Sequence, residues 1–146
     1  MSARITDEER LMEIRFPARP DRMAMVRKSV RGVALDCGFD DFAVQEIVLA
    51  IAEACQNVMR HGYTEREIGD IVVSLSRTAE RLIIRVTDFA PTINPAQIQS
   101  RDLSDIRPGG LGVHFISELM ETVEYMPGPG GSGNILLMTR KTEVSP

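Results

Sequence analysis

The chain predicts an α/β sandwich, with a mixed, mainly antiparallel sheet covered on one face by helices. Three observations point there. Two long segments, 20–37 and 40–61, repeat apolar residues at helical spacing. The β-branched runs "DIVVSLSR" and "RLIIRVTD" are separated only by "TAE", which reads as an antiparallel hairpin. The segments follow one another as β-α-α-β-β-loop-α-β-β.

"LMEIRFPA" (Leu11–Ala18) alternates enough for a first strand. Pro20-Asp21 opens a helix to about Cys37, with Met23, Val26, Val30, Val33 and Ala34 on one side and Gly38 as its stop. Asp40 or Asp41 caps the next helix, which runs to about His61 and stops at Gly62. After the hairpin comes a polar loop with three prolines, from Phe89 to Gly109. Loops of that length inside a compact domain are usually functional lids or disordered. "GGLGVHFISELME" begins a helix at a glycine cluster. "TVEYM" is then a strand, "PGPGGSG" a turn and "NILLMTRK" a closing strand.

At 146 residues the chain fits one domain, 1–146. Hydrophobic residues at 43% and charged residues at 26% are ordinary for a globular protein. A net charge of −4 and a pI near 5.2 argue against binding nucleic acid by phosphate neutralisation. Cys37 and Cys55 have no metal-ligand spacing and read as reduced, buried thiols. No uninterrupted apolar run is long enough for a membrane span, and the charged start "MSARITDEER" is no secretory signal. A cytoplasmic location is expected.

The second helix carries the sharpest question. Val44, Ile47, Val48, Ile51, Cys55 and Val58 form an apolar stripe. Measured from Ile51, Glu53 lies at roughly 200°, Glu46 at roughly 220° and Asn57 at roughly 240°. His61 extends that row. A solvated polar face is one reading. A catalytic acid–amide pair is the other: a carboxylate can take a proton from a hydroxyl, and an amide oxygen suits Mg²⁺. Asp88 ends an apolar strand, where it either starts a turn or accepts a hydrogen bond from an exocyclic amine such as adenine's. "RPGGLGVHFI" places Gly109, Gly110 and Gly112 before a helix, as a flexible entry or as a phosphate site. It is neither a dinucleotide fingerprint nor a P-loop.

Together these features resemble the histidine-kinase-like (GHKL) ATPase superfamily, and within it the bacterial anti-sigma-factor serine-protein kinases. The resemblance runs from about Phe16 to Arg140. Its most specific part is "EIVLAIAEACQNVMRHGY", similar to the family's N box with its trailing His-Gly-Tyr. It implies the Bergerat fold, with Glu53 as general base and Asn57 as Mg²⁺ ligand. It also implies ATP as cofactor, with Asp88 and Ala90 at the adenine and Gly109, Gly110, Leu111, Gly112 and Val113 at the phosphates. Arg107 would offset phosphate charge, and residues 91–109 would form the ATP lid. The implied substrate is a serine or threonine of a STAS-domain anti-anti-sigma partner; a sigma factor and a second copy of the chain are further implied partners.

One departure stands out. Where the superfamily has Asp-x-Gly-x-Gly, this chain has Asp88-Phe89-Ala90-Pro91-Thr92. Ala90 adds a methyl group beside the base, and Thr92 is bulkier and β-branched. A switch that binds nucleotide without transferring phosphate is therefore the alternative to a kinase. "RPGGLG" also fits the pyrophosphate turn of acetyl-CoA-dependent acetyltransferases, but that reading leaves Glu53 and Asn57 unexplained. A pure protein-binding scaffold is the remaining reading.

Overall fold

The computed structural model describes residues 7–63, 68–91 and 108–142, with the backbone alone described for 108–113 and Pro129. Five strands, β1 (Glu9–Pro17), β2 (Asp70–Arg77), β3 (Arg81–Asp88), β4 (Thr122–Pro127) and β5 (Asn134–Lys141), form one sheet in the order β1-β2-β3-β5-β4. Every neighbouring pair is antiparallel. The expected, mainly antiparallel sheet is thus present, and among the described residues it is antiparallel throughout rather than mixed. Three of the four sequence-adjacent pairs, β1–β2, β2–β3 and β4–β5, are antiparallel neighbours, and β5 inserts antiparallel between β3 and β4.

Alternation fixes which face is buried. Ile71, Val73 and Leu75 of β2, Leu82, Ile84 and Val86 of β3, and Leu136 and Met138 of β5 lie on the helix side, all buried. They pack with residues of α1 (Met23–Asp36), α2 (Asp41–Asn57) and α3 (Pro108–Leu119) in one core. Burying a side chain of the Ile or Leu type contributes about 1.5–3 kcal/mol.

The helices depart from expectation at their ends. Pro20–Arg22 is a 3₁₀ turn that leads into α1. Proline has no N–H and a fixed φ, which suits the opening turn. On the predicted side of α1, Met23, Val26, Val30 and Ala34 are buried and Val33 partly so, with Gly38 at φ 93° beyond its end. Asp40 is the cap of α2, its carboxylate accepting from the Ala43 N–H at 2.8 Å. The α-helix ends at Asn57, and a π turn spans Val58–Gly62.

By length and composition Asp41–Gly62 is apolar enough to cross a bilayer. Here that apolarity lies inside the fold, because α2 packs against both α1 and α3. Cys37 and Cys55 are buried free thiols, and burial pushes the Cys55 thiol up to about 12.

Candidate functional site

Asp88 has the same strand parity as Leu82, Ile84 and Val86, so it points beneath the helices and is only 5% exposed. A buried carboxylate needs donors. The Ala90 N–H donates to its Oδ1 at 2.9 Å, and Asn134 Nδ2 donates to the same oxygen at 3.0 Å. Asn134 is equally buried and lies directly opposite Asp88 in the β3–β5 register. Its amide also donates to the Pro91 carbonyl at 3.1 Å, which fixes the turn that leaves β3. Both carboxylate bonds fall on Oδ1, so among the described residues Oδ2 is left for a ligand. Burial raises the Asp88 pKa above the ordinary carboxylate value, and the bonds from Asn134 and Ala90 oppose that rise.

Gly133 is what allows this closeness. It sits at φ 78°, and a Cβ there would lie 2.4 Å from the Asp88 carbonyl oxygen. No other residue fits.

The end of the second helix reaches the same place. The Tyr63 hydroxyl donates to the Asp70 carbonyl at 2.7 Å and accepts from the Phe89 N–H at 2.7 Å. One phenol thus joins the segment after α2, the start of β2 and the turn after Asp88. Gly69 makes room for it, since a side chain there would meet the Tyr63 ring at 2.5 Å. A Cβ added at Gly62 would lie 3.6 Å from the Ala90 methyl. Ala90 is itself buried against this corner.

Glu53 and Asn57 lie on α2 just before that corner. Arg60, in the π turn, donates to Glu53 Oε2 at 3.0 Å and approaches Asn57 Oδ1 at 3.5 Å. Asn57 Nδ2 is buried and has no hydrogen-bond partner among the described residues. The amide is thus barely used by the fold, which is the condition expected of a group kept for a ligand. Among the described residues no cluster of His, Cys, Asp and Glu is placed to hold a metal alone. A single amide oxygen accords with Mg²⁺, which keeps several waters and takes its other oxygens from substrate phosphates. Glu46, expected on the same face, has a different part. It pairs with Arg140 of β5 at 2.8 Å, and Arg140 also donates to the Leu119 carbonyl. That ion pair ties α2 to the sheet, so the face is not simply solvated.

The glycine cluster stands differently from expectation. Helix α3 begins at Pro108, so Gly109, Gly110 and Gly112 lie in its first turns rather than before it, together with Leu111 and Val113. Proline suits the first helical position, and the N–H groups of a first turn have no partner within the helix. The cluster therefore still presents N–H groups, and α3 packs on α2. Arg107, Thr92 and nearly all of the expected lid lie outside the described residues.

Tyr63, Arg60 and Asn134 received no role from the sequence, although the first two stand inside the quoted N-box stretch. For Asn134 the available signal was its place after the glycine-rich turn. Its pairing with Asp88 follows only from the sheet register.

Five antiparallel strands in this order under three helices, with a buried strand-end carboxylate beside a helix end, define the histidine-kinase-like ATPase fold. The family model described as the histidine kinase-like ATPase domain matches residues 16–140, and the chain belongs to that family. It is 33% identical over 138 residues to the serine-protein kinase RsbW of Halalkalibacterium halodurans, covering 88% of this chain and 82% of that one. It is 28% identical over 137 residues to the serine-protein kinase RsbW of Bacillus mycoides, covering 88% and 83%. Among solved structures it resembles the RsbU and RsbW domains of Rv1364c from Mycobacterium tuberculosis, with a TM-score of 0.64 and 20% identity over 92% of this chain and 34% of that one. It also resembles the histidine kinase AdeS of Acinetobacter baumannii, with a TM-score of 0.50 and 17% identity over 92% and 70%. The resemblance drawn from the N box is thereby borne out.

Proposed function

We propose that this protein is an ATP-dependent serine/threonine-protein kinase that phosphorylates a STAS-domain anti-anti-sigma partner. The observation that carries the reading is the corner at Tyr63, which brings the helix bearing Glu53 and Asn57 to the turn after Asp88. Similarity to serine-protein kinases over most of both chains supports it.

Asp88 accepts a hydrogen bond from the adenine amine, and Ala90 packs beside the base. The N–H groups around Gly109, Gly110, Leu111, Gly112 and Val113 bind phosphate oxygens at the start of α3. Arg107 offsets phosphate charge. Asn57 would hold Mg²⁺, which, when bound, supplies charge neutralisation at the phosphates. The partner's hydroxyl oxygen forms a bond to the γ-phosphorus. The bond from that phosphorus to the bridging oxygen breaks, and ADP leaves. Glu53 takes the hydroxyl proton. Phosphoryl transfer depends mainly on positioning and electrostatics, so this small set suffices. The added charge on the partner, about −1.5 to −2, changes which proteins it binds. A sigma factor and a second copy of the chain are the further partners of this reading.

Glu53→Ala is expected to keep ATP binding and to lose transfer by roughly 10²–10⁴-fold. Single-turnover phosphorylation of a purified STAS-domain protein, read by intact mass, measures this; an unchanged rate would remove Glu53 from the chemistry. Ala90, buried where the base packs, favours one competing reading: a nucleotide-dependent switch without transfer. Nucleotide binding with no phosphoserine formed would select it.

A further inference from the structure

The kinase reading gives Glu53 a task but leaves open what aims it. Glu53 is a half-buried side chain of α2, 21% exposed. A base must lie within hydrogen-bond reach of the proton it takes, and a misplacement of about 1 Å can cost 10²-fold. Neither α2 nor the sheet contributes a described hydrogen bond to its carboxylate. Arg60 does, at 3.0 Å, and the same guanidinium nitrogen reaches toward Asn57 Oδ1.

The local backbone explains how. Arg60 follows Glu53 by seven residues and Asn57 by three, so helical geometry places all three on one side. The helix then widens into the π turn Val58–Gly62, with Arg60 inside it. Such turns occur mostly as single insertions and often at functional sites. The turn is anchored beyond Arg60, where Gly62 packs near Ala90 and Tyr63 holds Phe89. Arg60 is thus exposed, yet its backbone is fixed to the corner that holds Asp88.

We propose that Arg60 is a positioning residue for Glu53. Its guanidinium draws the carboxylate along the helix toward Asn57, into the space where the phosphoryl group is transferred. This inference rests on the kinase reading. The fork of a guanidinium sets the direction of a carboxylate, whereas an ammonium acts as a point charge.

The test compares wild type, Arg60→Ala, Arg60→Lys, Glu53→Ala and the double variant. Each is assayed for single-turnover transfer from ATP–Mg²⁺ to a purified STAS-domain protein, and for binding of a fluorescent ATP analogue. Arg60→Ala is expected to lower the transfer rate about 10-fold, while analogue affinity stays within about 2-fold. Arg60→Lys is expected to recover part of the rate. The double variant is expected to be no slower than Glu53→Ala, because an aiming residue has nothing left to aim. Wild-type rate in Arg60→Ala, or further slowing in the double variant, overturns the proposal.

A crystal structure of Arg60→Ala gives a readout independent of turnover. The Glu53 carboxylate is expected to leave its place beside Asn57, and an unmoved carboxylate overturns the aiming role. Absence of transfer in the wild type would instead defeat the kinase reading itself, leaving the crystallographic result to judge the contact. Thermal unfolding of each variant verifies that it is folded.

Discussion

Two carboxylates flank the candidate site, and they are held in opposite ways. Asp88 is buried, takes donors from its own turn and from the facing strand, and is crowded by Gly133. Glu53 is partly exposed, pairs with one exposed arginine, and neighbours an amide whose nitrogen has no partner among the described residues. The first is part of the framework, so its position is determined before any ligand arrives. The second depends on a surface ion pair, which contributes about 0–1 kcal/mol to stability and can rearrange. A binding anchor gains from being rigid. A group that meets a changing partner needs freedom to move.

This contrast can be broken at either carboxylate. The largest effect is expected from Glu53→Ala, whose transfer rate falls by the factor given above. Its folding stability should stay within about 0.5 kcal/mol of wild type by urea titration, since only an exposed pair is lost. A large loss of stability would mean that Glu53 is also framework.

Asn134→Ala should show the reverse pattern. It strips Asp88 Oδ1 of one donor and leaves the Pro91 carbonyl without its amide. A cost of about 1–3 kcal/mol in urea unfolding is expected, with weaker nucleotide binding by isothermal titration. Stability equal to wild type would contradict the framework role.

Tyr63→Phe removes only the hydroxyl that joins Asp70 and Phe89. About 1 kcal/mol of destabilisation is expected. The analogue affinity should fall more than the transfer rate of the saturated protein, because the turn after Asp88 is loosened while Glu53 is untouched. Stopped-flow binding and single-turnover assays separate the two.

The smallest effect is a matter of pH. Asp88 has a raised pKa in the fold, with burial the leading cause. A raised acid binds more protons folded than unfolded, so its contribution opposes folding as pH rises from the ordinary aspartate value through the raised one. Asp88→Asn keeps an oxygen for the Ala90 and Asn134 donors without a buried charge. The variant should gain stability relative to wild type near neutral pH, and the gain should fade as acid protonates Asp88. Urea titrations of both proteins across that range check the sign. Nucleotide binding by wild type should weaken over the same acid window.

Much of the fold was legible because its signals are local. The bounds of β2, β3 and β5 were readable from β-branched alternation, and a cap at Asp40 or Asp41 from their place before an apolar stripe, with Asp40 the one that accepts. The helical run of the second helix does reach Gly62, as expected, but its last five residues, Val58–Gly62, form a π turn. A π turn needs one extra residue per bond ring, and "VMRHG" carries no proline or internal glycine to announce it. The glycines at 109, 110 and 112 suggested a loop by propensity, yet the helix takes them in. Glu53, Asn57 and Asp88 were readable as chemistry-bearing types at telling positions. Asn134 and Tyr63 were not, because their importance arises from register and from contacts between distant segments. Arg60 carries no role in the sequence, because its distance to Glu53 is set by the π turn.

The place of β5 has a consequence for biogenesis. It is the latest of the five strands in chain order, yet it lies between β3 and β4 and supplies Asn134 to Asp88. During synthesis from the N-terminus, Asp88 lacks its Asn134 partner until that strand leaves the ribosome. Under the proposed kinase function, a nascent chain shorter than this would hold the helix of Glu53 and Asn57 without the completed surroundings of Asp88, and transfer would have to await closure of the sheet.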